Sequence, residues 1–568
     1  MADSNQQTNQ ITGAEAVVRL LAAHGVEHIF GLCGDTSLPV YDALHRLDHG
    51  MAHFLTRDER HAAYMADAYA RTTGKVGVCE GPSGGGATYI LPGVVEASES
   101  SIPVLAITTD VSVPAAGRFP LTELNQDQLF KPLTKWNGVI DHPGRIGNMM
   151  RSAFRAMTTG TPGAAHLGLP FDVQKAPASA DDVWAQSDFA GFPAWPTAPT
   201  SDAIEAAAKA LISAKSPVIV CGGGVVIAGA ESELQSLAEK LNCVVATTVS
   251  GQGSLAETHP NCLGVVGSNG GVPATRAAVA AADLVVFIGC RAGSVTTERW
   301  RFPAPGTTIV HIDTNPMAIS ASYETAYPVL GDARLALAAL NQAIDDEPSL
   351  PDFGGNAVVA KARQDKFAIF GELAASDERP IRPERLVADL NAVLPDDAVI
   401  VCDPGTPCPY FSAYYQFKRP GRHFISNRAH GALGFSIPAA MGAQVGRPNS
   451  KVVSVMGDGS FAFAVGEFET IVRYQLPILF VVVSNSVFGW IKAGQKSGFG
   501  ERYFSVDFSQ TDHARVAEAY GMKSWRVEDP RQLRGVIEQA SNHDGPALID
   551  VVSQPLHEAN APVSEWIA

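Results

Sequence analysis

The sequence is short of paired cysteines, of positive charge and of long apolar runs, and each shortage removes a class of function. Eight cysteines are scattered through 568 residues, with no C-x-x-C pair among them. Zinc-ligand spacing is therefore absent, and a disulfide framework is not expected in a chain of this length. Most of the eight are expected to act as small buried hydrophobes. Lys and Arg number 42 against 58 Asp and Glu, a formal charge of −16. Bulk nucleic-acid binding is excluded on that balance, because a phosphate backbone needs a positive face. No apolar run reaches the ~20 residues of a membrane helix. Residues 1–10 are polar and lack the apolar core of a secretion signal. The expectation is a cytoplasmic protein with no membrane partner.

What is present is a large apolar fraction, 46% hydrophobic against 18% charged residues, enough to build a sizeable core. Short Val- and Ile-rich runs recur at 103–110, 217–221, 284–289, 307–313, 398–403, 452–458, 478–485 and 547–553. Nearly continuous runs of this kind suit parallel strands buried on both faces. Amphipathic stretches lie between them, at 14–26, 59–73, 203–213, 231–241 and 467–474. The alternation predicts an α/β fold of parallel-sheet layers. Two linker-like stretches, 176–201 and 345–356, divide the chain into parts near 1–185, 200–345 and 375–568.

The most specific local signal is Gly457-Asp458-Gly459-Ser460, with Asn485 standing 27 positions after Asp458. Asp458 and Asn485 each follow a predicted strand, and ligands of parallel sheets bind beyond the strands' carboxyl ends. A carboxylate and a carboxamide oxygen are hard ligands suited to Mg²⁺ or Ca²⁺. The glycines let the backbone approach phosphate oxygens. In the first part, Glu59 opens a predicted helix. Elsewhere, 404–457 holds no acid yet carries Lys418, Arg419, Arg422 and Arg428, and 487–500 holds no acid yet carries Lys492 and Lys496. Such stretches in an acidic chain point to an anionic partner, or to solvated basic turns.

Together, Gly457–Ser460, the segment 467–477 and Asn485 resemble the diphosphate-binding motif of thiamine-diphosphate enzymes. The resemblance runs through nearly the whole chain, as pyrimidine-binding, central and diphosphate-binding domains, three Rossmann-like parallel sheets. It implies thiamine diphosphate and Mg²⁺ as cofactors, with Asp458, Asn485 and the backbone oxygen of Val487 as metal ligands. The family usually shows Asn-Asn where this chain has Ser484-Asn485. The string around Glu59 resembles that of the family's essential glutamate. This carboxylate lies against a pyrimidine nitrogen and promotes the imino tautomer through a charge-assisted hydrogen bond. Ser83-Gly84-Gly85-Gly86-Ala87-Thr88-Tyr89 resembles the family's S-G-P-G-A-T-N turn, with Gly85 for proline and Tyr89 for asparagine. Leu433, in Gly431-Ala432-Leu433-Gly434, matches the bulky residue that props the cofactor in its bent shape. The family's domains pair across subunits, so at least a homodimer, commonly a dimer of dimers, is implied.

For the reaction, Asp35 matches a loop aspartate of the pyruvate decarboxylase type, and Glu123 matches a loop glutamate of acetolactate synthases and acyl-CoA lyases. Asp35 also suits a simple loop cap, and Glu123 a solvated loop charge. After the strand ending near Gly289 the chain reads Ala292-Gly293-Ser294-Val295-Thr296-Thr297, unlike the F-D-D-R-x-T-G-like segment of flavin-binding acetolactate synthases, so flavin is not expected. Arg291 and Asp313 in the central domain are candidates for an ADP or CoA nucleotide, and Lys418, Arg422 and Arg428 for CoA phosphates. The chain looks most similar to 2-hydroxyacyl-CoA lyases near the oxalyl-CoA decarboxylases. The implied reaction splits 2-hydroxyisobutyryl-CoA into acetone and formyl-CoA, and residues 557–568 are placed to close over the site. Ala493 stands where such a lyase would be expected to hold Glu, an engineered or lost catalytic position or else an ordinary helix alanine. The alternatives are an acetolactate-synthase-like carboligase or decarboxylase of 2-oxo acids, and a non-catalytic homologue that only binds the cofactor.

Overall fold

The computed structural model describes residues 10–566. Most of the polar N-terminal stretch, 1–9, and the last two residues of the tail lie outside the described residues. The strands are β1 (Gln10–Thr12), β2 (His28–Gly31), β3 (Ala52–Leu55), β4 (Gly77–Gly81), β5 (Val104–Asp110), β6 (Trp136–Val139), β7 (Ala165–Pro170), β8 (Pro177–Ser179), β9 (Pro217–Cys221) and β10 (Val244–Thr247). They continue as β11 (Cys262–Val265), β12 (Leu284–Ile288), β13 (Thr308–Asp313), β14 (Tyr327–Leu330), β15 (Val399–Cys402), β16 (Phe424–Ser426), β17 (Val452–Gly457), β18 (Leu479–Ser484), β19 (Lys523–Val527) and β20 (Ala547–Val552). A small ribbon pairs β1 with β8 antiparallel. The other strands form three six-stranded sheets, of order β3-β2-β4-β5-β7-β6, β11-β10-β9-β12-β13-β14 and β16-β15-β17-β18-β20-β19. The fold is α/β with three parallel-sheet domains, as the alternating pattern predicts.

Counted within its own sheet, the first runs 2-1-3-4-6-5, and so does the third. The second runs 3-2-1-4-5-6, the dinucleotide-fold order. Central strands such as β5 and β18 are buried along their whole length, which is why they read as continuous apolar runs rather than alternating ones.

The chain forms two compact units. One comprises the residues up to Trp195 with 429–431 and 441–447, and the other comprises 196–428, 432–440 and 448–568. The first unit holds the first sheet, and the second unit holds the other two. Local chemistry sets the element ends. Asp58 caps the helix Glu59–Thr73 by accepting from the Arg60 N–H, and Gly74 closes it in the left-handed region at φ 70°. Seven of the eight cysteines are buried, Cys33 is exposed, and none forms a disulfide. Among the described residues no helix is long and apolar enough to cross a membrane.

Candidate functional site

Within the first unit, the strand order reverses between β2 and β4, the place where open α/β sheets bind ligands. Glu59 is there, 7% exposed at the start of its helix. Ideal Cβ atoms built on Gly81 and Gly86 would stand 3.3 Å from its Cγ and 3.1 Å from its Oε1. Burial pushes the Glu59 carboxyl above its ordinary range, and the charges of Asp58 and Glu80 add to that. Around it runs a network of hydroxyls. Ser83 Oγ lies 2.7 Å from Thr122 Oγ1 and 3.1 Å from Thr36 Oγ1, which in turn lies 2.8 Å from Thr109 Oγ1. Gly84 has φ 68°, and a Cβ there would press on Thr122 Cβ at 2.8 Å, so this turn requires glycine.

Asp35 and Glu123 are each engaged in their own loops. Asp35 Oδ1 accepts from the Thr36 N–H at 2.8 Å and Glu123 Oε1 from the Gly117 N–H at 2.5 Å. Asp110, at the end of β5, was not singled out by the sequence. Burial pushes its carboxyl up to about 6, and the Glu123 charge adds to that.

Within the second unit, β17 and β18 are parallel neighbours with Gly457 in register with Val483, so Asp458 and Asn485 emerge at adjacent strand ends. Asp458 is buried. Its Oδ1 accepts from Gly459 N–H at 2.9 Å, and its Oδ2 from Asn485 N–H at 2.7 Å and Ser486 N–H at 2.6 Å. Burial raises its pKa, against those three donors. Asn485 Nδ2 is buried without a partner, and Val487 is buried beside it in a short bridge to Asp507. A Cβ on Gly457, or on Gly405 after β15, would meet nothing within 4 Å. Open glycine backbone lies beside a buried acid and an unpartnered carboxamide. Such a donor set fits a diphosphate held through a hard cation. Leu433 is half-buried, and the neighbouring Gly434 N–H donates to Ser460 Oγ at 2.8 Å.

Behind Asn485 stands a buried polar brace that the sequence reading missed. Ser484 Oγ lies 2.9 Å from His513 Nδ1 and donates to Asp550 Oδ1. Asp550 Oδ2 accepts from His513 N–H at 3.0 Å and from Arg526 Nη1 at 2.6 Å. Burial alone would raise the Asp550 pKa, but the His513 and Ser484 hydrogen bonds and the His513 and Arg526 charges hold it low. The substitution of Ser for the usual Asn at 484 was the one signal available.

Ala493 is 4% exposed on the helix Gly489–Gly498 that follows the Asn485 turn. The chain's tail crosses this helix. Trp490 and Trp566 meet edge to face at 5.1 Å, and Lys496 Nζ donates to the His557 carbonyl at 2.9 Å. Further on, the Gly270 N–H donates to the Pro562 carbonyl, the Ser564 N–H to the Ser268 carbonyl, and Glu565 pairs with Arg299 and Arg301.

Several of the basic candidates are bound up locally. Arg422 is buried with Nη1 on the Ser250 carbonyl at 2.8 Å, and Lys418 pairs with Asp396 at 2.7 Å. Both Nη atoms of Arg428 meet the Asn269 carboxamide oxygen at 2.9 Å. These contacts give each basic group a local role, and they read as fold contacts rather than a preformed phosphate patch. In the central domain, Arg291 is exposed, and Asp313 accepts from the Asn315 N–H at 2.8 Å with its pKa raised by burial. The glycine run there has a packing reason. A Cβ on Gly222 would strike the Gly289 carbonyl oxygen at 2.1 Å, so the turns after β9 and β12 touch backbone to backbone.

Three family models match in succession. They are the thiamine pyrophosphate enzyme N-terminal TPP binding domain at residues 11–129, the central domain at 204–340 and the C-terminal TPP binding domain at 403–551. The chain belongs to the thiamine pyrophosphate (thiamine diphosphate) enzyme family. Its relatives include a probable acetolactate synthase large subunit of Methanococcus aeolicus, 35% identical over 96% of this chain and 92% of that protein. Two more are from Escherichia coli (strain K12). The acetolactate synthase isozyme 3 large subunit is 31% identical over 93% of this chain and 92% of its own length. The isozyme 2 large subunit is 32% identical over 95% of each. For a thiamine pyrophosphate enzyme, Glu59 is the residue that would face the pyrimidine ring, and Asp458, Asn485 and Val487 would hold Mg²⁺ against the diphosphate.

Proposed function

We propose that the protein uses thiamine diphosphate and Mg²⁺ to break or join a carbon–carbon bond next to a carbonyl. The observation that carries this is the pair of strand-end sites: a buried carboxyl at Glu59 whose pKa burial raises, and the Asp458/Asn485 turn with its open glycine backbone. When bound, the cofactor supplies a nucleophilic carbon and a positive ring that stores electrons. Glu59 holds a proton at the pyrimidine nitrogen. Asp458 and Asn485 would hold the cation, and the apolar Leu433 would pack against the cofactor.

Two substrate readings have separate support. The relatives weigh toward the first, an acetolactate-synthase-like carboligation of 2-oxo acids, and it has the broader support because similarity extends over nearly the full chain. The second is cleavage of a 2-hydroxyacyl-CoA, such as 2-hydroxyisobutyryl-CoA, to a ketone or aldehyde and formyl-CoA. One feature favours it: the segment after β12 is engaged by the chain's own tail, with Ser564 on Glu298 and Glu565 on Arg299 and Arg301. Ala493 counts against it, since a buried alanine on the helix Gly489–Gly498 stands where such a lyase would hold a proton-handling Glu. Either reading takes the protein as a homo-oligomer, at least a dimer; Phe119, 96% exposed in the loop after β5, suits a second copy's apolar face.

One experiment separates the readings. The wild-type chain and Ala493→Glu are incubated with pyruvate and with 2-hydroxyisobutyryl-CoA, and acetolactate and formyl-CoA are followed by mass spectrometry. The lyase reading expects formyl-CoA, with turnover rising about 10²–10⁴-fold in Ala493→Glu, the usual contribution of a general base. Acetolactate from pyruvate, with no gain at position 493, selects the carboligase. Neither product, with the cofactor bound, leaves a binding-only homologue.

A further inference from the structure

A second buried acid, Glu80 on the strand β4, stands near Glu59 and is held by partners of its own. Glu80, near the end of β4, is 6% exposed. Tyr41 OH, from the helix Leu38–Arg46, donates to its Oε1. His53 Nε2, from β3, lies 3.1 Å from Tyr41 OH and 3.6 Å from the same Glu80 oxygen. The Tyr41 and His53 rings meet edge on at 5.1 Å. Room for this carboxylate comes from Gly31 at the end of β2, where a Cβ would stand 2.1 Å from Glu80 Oε1. Three strands and one helix therefore converge to bury this carboxyl. The next residue, Gly81, is the one against which Glu59 packs.

Burying an acid is expensive unless it has a task or a partner. Glu59 and Glu80 are both buried at the end of β4, where charges are poorly screened, so a charge on Glu80 favours the proton on Glu59. Tyr41 and His53 stand on the Glu80 side of the pair. On the Glu59 side, Asp58 and Arg60 close on each other at 2.6 Å, so the Arg60 charge is largely spent. Other titratable groups close by are Cys33 on the loop after β2, Cys79 next to Glu80 on β4, His61 beside Asp58, and Tyr64 and Tyr89 near Arg60.

We propose that Glu80, held by Tyr41 and His53, is a positioning residue that acts through its charge to keep a proton on Glu59, where the pyrimidine ring needs it. This rests on reading Glu59 as the carboxyl that faces that ring. The role differs from packing, because the carboxylate's charge matters and its shape does not.

The test uses the full chain in four forms: wild type, Glu80→Gln, Glu80→Asp and Tyr41→Phe, with Glu59→Gln as reference. Carboxyl ¹³C resonances of the apoprotein give the ionisation midpoint of Glu59, assigned by its loss in Glu59→Gln. Hydrogen–deuterium exchange at the thiazolium carbon of bound thiamine diphosphate gives a pH profile of activation. Glu80→Gln is expected to lower the Glu59 midpoint by about one pH unit, a tenfold change in proton occupancy, and to move the exchange profile the same way. Glu80→Asp restores most of both. Tyr41→Phe, which removes the hydrogen bond that holds Glu80 in place, shifts them in the same direction by less, and serves if Glu80→Gln does not fold. An unmoved midpoint in a folded Glu80→Gln or Tyr41→Phe protein overturns the proposal, provided Glu59→Gln abolishes exchange. Normal exchange in Glu59→Gln instead overturns the reading of Glu59 itself.

Discussion

The first and third sheets share one strand order and differ in the polar chemistry at their strand ends. In the first, β5 and β7 are linked by Thr108 Oγ1 and His166 Nε2 at 2.6 Å, and burial pushes His166 down to about 3, so the link is neutral. In the third, the corresponding strands β18 and β20 are linked by Ser484 and Asp550, and that link is charged, closed by Arg526. Around the first lie the hydroxyls of Thr36, Ser83, Thr109 and Thr122. One topology has thus been furnished twice. The hydroxyl-lined end suits an uncharged ring, and the end braced by an ion pair suits a diphosphate and its cation.

The contrast is broken most directly by exchanging one carboxyl for its amide at each end. Glu59→Gln is expected to lower turnover by about 10²–10⁴-fold, the usual contribution of a general acid–base group. Thiamine diphosphate should still bind in isothermal calorimetry. Asp458→Asn is expected to do the reverse, weakening binding in the presence of Mg²⁺, with chelation of the wild type reproducing the loss. If Glu59→Gln abolished binding and Asp458→Asn spared it, the assignment of ring and diphosphate ends would be inverted.

The charged link predicts a stability effect that the neutral one does not. Asp550 is fully buried and serves Arg526, His513 and Ser484 at once. Removing one partner of a buried ion pair costs about 3–5 kcal/mol. Asp550→Asn should therefore lower the melting temperature and loosen the turn that carries Asn485, read as weaker Mg²⁺ affinity. Its partners hold the Asp550 pKa low, so its contribution is present above the unfolded value and fades only as pH falls through the lower folded one. An Asp550→Asn protein that melts like the wild type at neutral pH would mean the brace carries no weight.

How far the sequence alone reaches follows the same division. Asp458 and Asn485 were legible as a pair because each stands just after its own strand, and the two strands are parallel neighbours in the sheet. Glu59 was legible because the residues beside it on the helix resemble a known string. The brace was not, since Ser484, His513, Arg526 and Asp550 come from four elements whose adjacency exists only in the sheet. Glu80 hid inside a strand that reads as ordinary, and its partners Tyr41 and His53 lie on a helix and an edge strand with no spacing rule to join them. The glycine run after β9 suggested a nucleotide, whereas the fold uses it to let two turns touch. The basic cluster suggested phosphates, yet Arg422 and Lys418 spend their charge on a carbonyl and on Asp396.

The smallest effect concerns Asp110, a buried acid at the end of β5 in the first sheet. Its carboxyl accepts from the Val111 N–H at 2.8 Å and feels the Glu123 charge. The unfolded group titrates near 3.8 and the folded group near 6. Between those values the folded chain binds more protons than the unfolded one, so this group's effect on stability falls as pH rises through the window. The sign is opposite to that of Asp550. Asp110→Asn removes the burden and should stabilise the protein by about 3 kcal/mol at most at pH 7, with the gain shrinking to nothing below pH ~4. Thermal melting of both proteins across that range measures the difference directly. A gain independent of pH would mean that the amide merely packs better and that the buried Asp110 carboxyl carries no electrostatic burden.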